Sequence, residues 1–276
     1  MSKYFGKKNR KKCFFLVFLW FLCCFSLRFR YFCVWNMEIL NVIVLRSFMF
    51  GDAKMMVDVF SREYGRLSCV CKIGSSKAGR GRRQMFQPLF LLELSIERKR
   101  VGQLPVVKDV HISVPFSDIP FNAYKLSVSI FLAEFLGRVT YSEHDFPLFY
   151  DYVRESVLWL DGARSNFSNF HLVFMMRLTR FVGFYPNLDD YEDGCCFDMQ
   201  NGCFVSCAAP CRDFLDAEES RKMHLLMRMN YSTMHLFTMS RSERNRCLDV
   251  IIEFYRLHIP GFKELKSLDV LRELFV

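Results

Sequence analysis

The feature that most limits what this chain can fold into is a change of period at Asp118–Pro120. Before it, from Met37, five strand-length runs follow one another: "MEILNVIVLRSFMF", "AKMMVDVFS", "RLSCVCKIG", "MFQPLFLLELSIERKR" and "VVKDVHISVPF". They are separated by the turn pair Gly51-Asp52, by "REYG", by the loop "SSKAGRGRR" and by "VGQLP". Within the third run Leu67, Cys69 and Cys71 alternate with Ser68, Val70 and Lys72, the pattern of a half-buried strand. Five such runs in roughly 80 residues predict a small closed or partly open β-barrel.

After the break the spacing is helical. "NAYKLSVSIFLAEFLGRV" places Leu126, Ile130, Ala133 and Gly137 along one stripe. "FPLFYDYVRESVLWLDG" has Pro147 near its start and Gly162 past its end, and "FSNFHLVFMMRLTRFVGF" is closed by Gly183 and Pro186. "DAEESRKMHLLMRM" and "SRSERNRCLDVIIEFYRLHI" open with the capping pairs Asp216/Glu219 and Ser240/Glu243. "LKSLDVLRELF" ends the chain. Between the third and fourth helices, "NLDDYEDGCCFDMQNGCFVSCAAP" reads as an irregular or hairpin insert at about residues 187–213. The fold class expected is α+β, with a barrel over 37–118 and a helical domain over 119–276.

Charge divides the same way. Residues 37–118 hold thirteen basic and eight acidic side chains, a net +5, and residues 119–276 a net −4. One half is expected to bind a polyanion and the other to do something else. Between Arg62 and Lys108 there are eleven basic residues and three acidic ones. Lys77, Arg80, Arg82 and Arg83 crowd "GSSKAGRGRRQ", with Gly79 and Gly81 letting the backbone approach a ligand. Lys72, Arg98, Lys99 and Arg100 extend the expected patch. Tyr64, Phe86 and Phe90 are candidates for base stacking, although core packing suits each of them better.

The first 36 residues stand apart. They carry eight Lys/Arg, no acid, and thirteen unbroken apolar residues from Cys13 to Phe25. That run is shorter than the about 20 residues of a spanning helix, and no small-residue cleavage site follows it. The stretch reads as a spurious or non-globular extension upstream of a true start at Met37. The rival reading is a membrane-anchored adaptor that uses residues 1–30 as its anchor.

Twelve cysteines are present, and Cys69, Cys71 and Cys247 sit in apolar runs, as buried free thiols do. A secreted disulfide scaffold would be shorter and more regularly spaced, so a reducing cytoplasm is expected. The six histidines (His111, His144, His171, His224, His235 and His258) are dispersed, with no HExxH, GxSxG or Walker loop. The sequence offers no catalytic constellation.

Four stretches, "ILNVIVLRSFMFGDAKMMVDVFSREYGRLSCVCKIGSSK", "QPLFLLEL", "LTRFVGFYPNL" and "LKSLDVLREL", in this order, resemble the bacterial RecO family of recombination mediators. The resemblance runs from just after Met37 to the C-terminus. It implies an N-terminal OB-fold followed by a helical domain, and a non-enzymatic role in DNA repair and homologous recombination near the nucleoid. Implied activities are binding of single- and double-stranded DNA, annealing, and, with RecR, loading of RecA on strands coated by the single-strand-binding protein SSB. The acidic C-terminal tail of SSB is expected to meet Arg177 or Arg180, beside Phe174, Met176 and Phe181, unless those arginines pair with Asp189 or Asp190. Many family members hold zinc with two CxxC pairs in the insert. Here Asp190 and Asp193 stand about where the first pair would be, and Cys195, Cys196, Cys203, Cys207 and Cys211 form no CxxC. The expected cofactor is none, although four of these five thiols have the chemistry to surround Zn²⁺ at about 2.3 Å.

Overall fold

The computed structural model describes residues 37–51, 53–74, 77–98, 102–140, 146–206 and 213–273. The anchor and extension readings fall on residues 1–36 and lie outside the described residues. Among the described residues no helix is long and apolar enough to cross a membrane.

Five strands make the barrel: β1 Met37–Met49, β2 Lys54–Ser61, β3 Gly65–Lys72, β4 Leu91–Glu97 and β5 Val106–Ile112. They close in the order β1-β2-β3-β5-β4, the last edge sealed by Val44 N–H donating to the Phe90 carbonyl at 3.0 Å and Leu89 N–H to the Val44 carbonyl at 2.8 Å. β3 and β5 run parallel, and the other ladders are antiparallel. The interior is filled by the alternate residues of each strand, among them Val42, Val44, Val57, Val59, Cys69 and Cys71. Closure pairs each of these five strands on both sides. Burial pushes the Cys69 thiol up to about 12, and it raises that of Cys71 as well. Both are protonated packing groups, as the apolar runs predict.

Strand β1 changes faces midway. Its pairing with β2 slips between Val44 and Arg46, a bulge that adds one residue at Leu45. Before the bulge the even-numbered Leu40, Val42 and Val44 point into the barrel. After it, Arg46 and Phe48 lie on the outer face, opposite Asp58 and Met56.

The segment "SSKAGRGRR" is not the loop that its glycines predict. Lys77–Gln84 is a helix, α1, joining β3 to β4. Arg, Lys, Ala and Gln all favour helix. No hydrophobic period announces it, because its buried contact is made by a glycine. A Cβ on Gly79 would overlap the Gly74 carbonyl oxygen, so only glycine lets the backbones meet there.

Helices α2 Ala123–Val139, α3 Phe146–Gly162, α4 Phe170–Val182, α5 Ala217–Arg228, α6 Arg241–His258 and α7 Leu268–Glu273 form the second half. The caps match the sequence: Asp216 accepts from Glu219 N–H, Ser240 and Glu243 close a capping box, and Gly183 ends α4 in the left-handed region. The α2 stripe is corrected. Of its residues Ala133 is buried, but the core face is Val128, Phe131, Leu132, Ala133, Phe135, Leu136 and Val139, whereas Ile130 is 43% exposed. α2 is apolar on nearly every side, so its composition left two faces equally plausible, and packing chose between them. Helix α4 is the central rod, buried from Phe170 to Met176 and again at Leu178 and Thr179. The insert forms a small sheet of three strands, β6 Cys196–Asp198, β7 Cys203–Val205 and β8 Phe214–Leu215, in the order β7-β6-β8.

Beside the barrel's own interior, a second core joins barrel to helices. Ile43, Leu45, Phe60, Leu89 and Leu91 turn outward from the barrel and join the helical cluster. The Phe60 ring lies 4.8 Å from that of Phe149. Burying a ring of this kind is worth about 3–5 kcal/mol against truncation to Ala. Gly65 faces the Phe146 ring so closely that a Cβ would come within 2.6 Å of it.

Polar clamps fix the junction. Asp161, at the end of α3, accepts from the backbone N–H groups of Ser117, Asp118 and Ile119 at 2.8–2.9 Å and from the Ser117 hydroxyl. Lys125, fully buried on α2, donates to the Asp161 carbonyl and pairs with Asp118, both at 2.8 Å. Arg62 in the β2–β3 turn grips Asp151 of α3 through two bonds of 3.0 Å. Burial works against the charge of Asp161, but the Ile119, Ser117 and Asp118 donors outweigh it and hold its carboxyl below the usual carboxylate range. A carboxyl depressed on folding stabilises above its unfolded pKa of about 3.9, and that contribution is lost as pH falls through the lower folded value. Asp161→Asn is therefore expected to cost about 1–3 kcal/mol at pH 7. Its thermal midpoint should converge on that of wild type as the pH is lowered below about 3.9, as thermal melts across pH will show. A constant gap at all pH values would mean that the charge of Asp161 is not what locks the junction.

Candidate nucleic-acid interface

Helix α1 gathers the basic cluster onto one short rod. It has no acid in its first turn, and Arg82 and Arg83 lie in its last, where cations complement the helix dipole. Arg82 donates to the Lys108 carbonyl, which ties α1 to β5. Arg83 is exposed and borders a groove between barrel and helices. The side chains of Lys77 and Arg80 lie outside the described residues, as do Lys99 and Arg100. Lys72, exposed at the end of β3, stands opposite Lys54 on β2.

Arg98 does not join this cluster. Its guanidinium bonds Glu38 at 3.1 Å and covers the Tyr64 ring at 4.1 Å. Glu38 opens β1 and Tyr64 lies in the β2–β3 turn, so Arg98 sits at the end of the barrel away from Lys72. The length of β3 separates those ends by about 23 Å. Consecutive basic residues look like one patch in the sequence, but the barrel splits them between its ends. Of the three aromatic candidates, Phe86 is core, Phe90 packs edge-on against Phe116 at 5.3 Å, and Tyr64 is 44% exposed under Arg98.

The groove has a volume of about 1070 Å³. Arg46, Arg66, Arg83, Arg138 and Lys266 border it, with Asp58 and Glu134 as its acids. Both acids are engaged. Asp58 accepts from the Ser68 hydroxyl at 2.6 Å and lies 3.7 Å from Arg66. Glu134 accepts from Lys266 N–H at 3.1 Å, from Ser267 N–H at 2.9 Å and from the Ser267 hydroxyl at 2.6 Å, closing the first turn of α7. Arg66 reaches across to the Gly137 carbonyl at 2.6 Å. The groove therefore presents cations beyond those its carboxylates neutralise.

The periodicity of β1 gives no sign of the large apolar side chains that the barrel exposes at its β1–β2 hairpin. Phe48, Met49 and Phe50, at the β1–β2 hairpin, are 38%, 38% and 64% exposed. Simple alternation puts Phe48 inside, with Leu40, Val42 and Val44. The one available signal was Arg46, a charge at an interior position of that alternation, which marks a bulge.

In the helical half, Arg177 donates to the Met229 carbonyl at 3.4 Å, and Arg180 donates to the Tyr185 hydroxyl at 2.9 Å while covering the Tyr185 ring. These contacts are to a carbonyl and a phenol, not to Asp189 or Asp190, the pairing that would have opposed a role in tail binding. Phe174 and Met176 are core, and Phe181 is only partly buried.

Among the described residues no three His, Cys, Asp or Glu side chains are grouped to hold a metal ion. Cys196 pairs with Val205 and Cys203 with Asp198 across the hairpin, while Phe197 and Phe204 fill its core. Burial, then the charges of Asp198 and Asp190, raise the Cys203 thiol. Cys207 and Cys211 lie outside the described residues. Purified protein is expected to keep its thermal midpoint in the presence of a strong chelator. Stoichiometric zinc in metal analysis, with a lowered midpoint after chelation, would contradict this.

A closed five-strand barrel of OB type, carrying a basic connecting helix and merged with an all-helical body, is the class of protein these elements define. Two family descriptions match it in order: "Recombination protein O N terminal" over residues 37–116 and "Recombination protein O C terminal" over residues 121–269. The DNA repair protein RecO of Phocaeicola vulgatus is 46% identical over 233 residues, covering 84% of this chain and 97% of its own. Those of Bacteroides fragilis and Flavobacterium psychrophilum are 43% and 30% identical over 84% and 85% of this chain, and 97% and 98% of their own. The chain belongs to the RecO family of DNA repair proteins.

Proposed function

We propose that this protein is a recombination mediator, not an enzyme, that binds single- and double-stranded DNA through its barrel and anneals complementary strands. In this reading it works in the cytoplasm with RecR to load RecA on SSB-coated strands. Membership of the RecO family supports the reading, and the observation that carries it is α1. This helix places four basic residues, Lys77, Arg80, Arg82 and Arg83, within seven positions and has no acid in its first turn. Cations so placed neutralise phosphates without reading bases, which is what a protein acting on any damaged strand requires.

Changing all four of these residues to Ala is expected to weaken binding to a single-stranded oligonucleotide. It should also reduce the slope of log affinity against log salt by about 3, one counterion-release contribution of about 0.7 for each phosphate contact. Titrations at several salt concentrations test this. An unchanged slope and affinity in a folded variant would remove α1 from the interface.

In this reading the SSB tail meets Arg180. Arg177 is half-buried and donates to the Met229 carbonyl, whereas Arg180, which also bonds the Tyr185 hydroxyl, is exposed beside the partly buried Phe181. Arg180→Ala is expected to weaken a fluorescent acidic tail peptide by about 1 kcal/mol at low salt, and less as salt rises. Equal dissociation constants for Arg180→Ala and wild type would place the tail elsewhere.

A further inference from the structure

We infer that the β1–β2 hairpin is a base-stacking platform, with Phe48 and Phe50 as the rings on which the bases of a single strand lie. The inference rests on the reading of this chain as a single-strand-binding protein, but it names a surface that α1 does not include. It begins with the bulge at Leu45. After the bulge Arg46 and Phe48 lie on the same outer side, about 6.6 Å apart along the strand, and Phe50 follows two positions on where the chain enters the turn. The hairpin is closed by Phe50 N–H donating to the Lys54 carbonyl at 2.8 Å, and Gly51 takes the positive φ of the turn. The Ser47 hydroxyl donates to the Phe86 carbonyl at 2.9 Å and holds the strand against the residues that follow α1.

The surroundings of these rings select their ligand. On the same outer face Phe48 pairs with Met56, and Met56 with Val70, both half-buried. Around this apolar strip stand Arg46, Lys54 and Lys72, all exposed. The acid on this face, Asp58, is already held by Ser68 and Arg66. The Arg46 guanidinium lies 4.6 Å from the centre of the Phe48 ring, which fixes that ring while leaving it 38% exposed. An isolated exposed Phe needs no explanation, but two at one hairpin, backed by Met and Val and rimmed by cations, form an apolar patch with a charge preference. Aromatic faces that accept any base, beside cations that track a backbone, are the means by which OB-type barrels hold single strands without sequence preference. The strand would leave this platform past Arg46, which also borders the groove, so platform and groove form one path.

Stacking and phosphate contacts respond to different probes. In the full-length protein, Phe48→Ala/Phe50→Ala is compared with Arg82→Ala/Arg83→Ala by anisotropy, using labelled oligothymidine and an abasic strand of equal length. The aromatic variant is expected to lose about tenfold or more in affinity for oligothymidine, with the salt slope and the abasic affinity unchanged. The arginine variant should lose affinity for both strands and show a shallower slope. Both rings are exposed, so the fold should survive, and an unchanged circular dichroism spectrum checks this. Phe50→Trp supplies an independent readout, because the emission of its indole should be quenched by oligothymidine and not by the abasic strand. A folded aromatic variant that binds oligothymidine as tightly as wild type, or an indole emission in Phe50→Trp indifferent to it, overturns the platform while leaving the DNA-binding reading intact. If wild type binds neither strand, both readings fail.

Discussion

Everything else in the structure depends on the burial of one side of the barrel against the helices. Ile43, Leu45, Phe60, Leu89 and Leu91 are apolar residues on the outside of a closed barrel, a position that normally faces water. The rings of Phe146 and Phe149 meet Phe60 at 6.2 and 4.8 Å, and Phe146 also fills the space that a side chain on Gly65 would need. This contact makes Glu38–Val276 one compact unit. It also decides which barrel surface is left for a ligand. The side occupied by helices is closed, and the side carrying the β1–β2 hairpin, the ends of β2 and β3 and helix α1 stays open.

The polar clamps refine that arrangement. Asp161 and Lys125 hold Ser117, Asp118 and Ile119, within the segment 113–122 that connects barrel to helices, and Arg62–Asp151 pins the far end of the β2–β3 hairpin. Asp151 is held below the usual carboxylate range, first by its hydrogen bond to Arg62. The groove between the halves inherits its shape from these contacts, and its walls are set by Arg66 reaching the Gly137 carbonyl and by Glu134 capping α7. In the proposed function such rigidity is useful, since phosphates meeting barrel and groove would do so in a fixed register.

Much of this was legible in the sequence, for identifiable reasons. The strands were visible because turn chemistry separates apolar runs, and the helix starts because Asp216/Glu219 and Ser240/Glu243 satisfy backbone donors locally. What escaped was set by tertiary contact. Helix α1 hides its buried contact in Gly79, which carries no hydrophobic signal. The core face of α2 was ambiguous because Ile130 is as apolar as Phe131, and only packing against α4 and α7 chooses between them. Arg98 follows α1 in sequence yet lies at the other end of the barrel. The bulge at Leu45 inverts the alternation of β1 and so displays Phe48, which simple periodicity assigns to the interior.

The central claim is that the uncovered side of the barrel is where DNA lies, while the helical body is a platform for other contacts. Hydrogen–deuterium exchange of the protein with and without a saturating single-stranded oligonucleotide tests it most directly. The account predicts added protection across residues 46–56 and 77–84, with exchange in helix α4, Phe170–Val182, unchanged. Protection confined to the helical body, with the barrel hairpin and α1 unaffected, would contradict it.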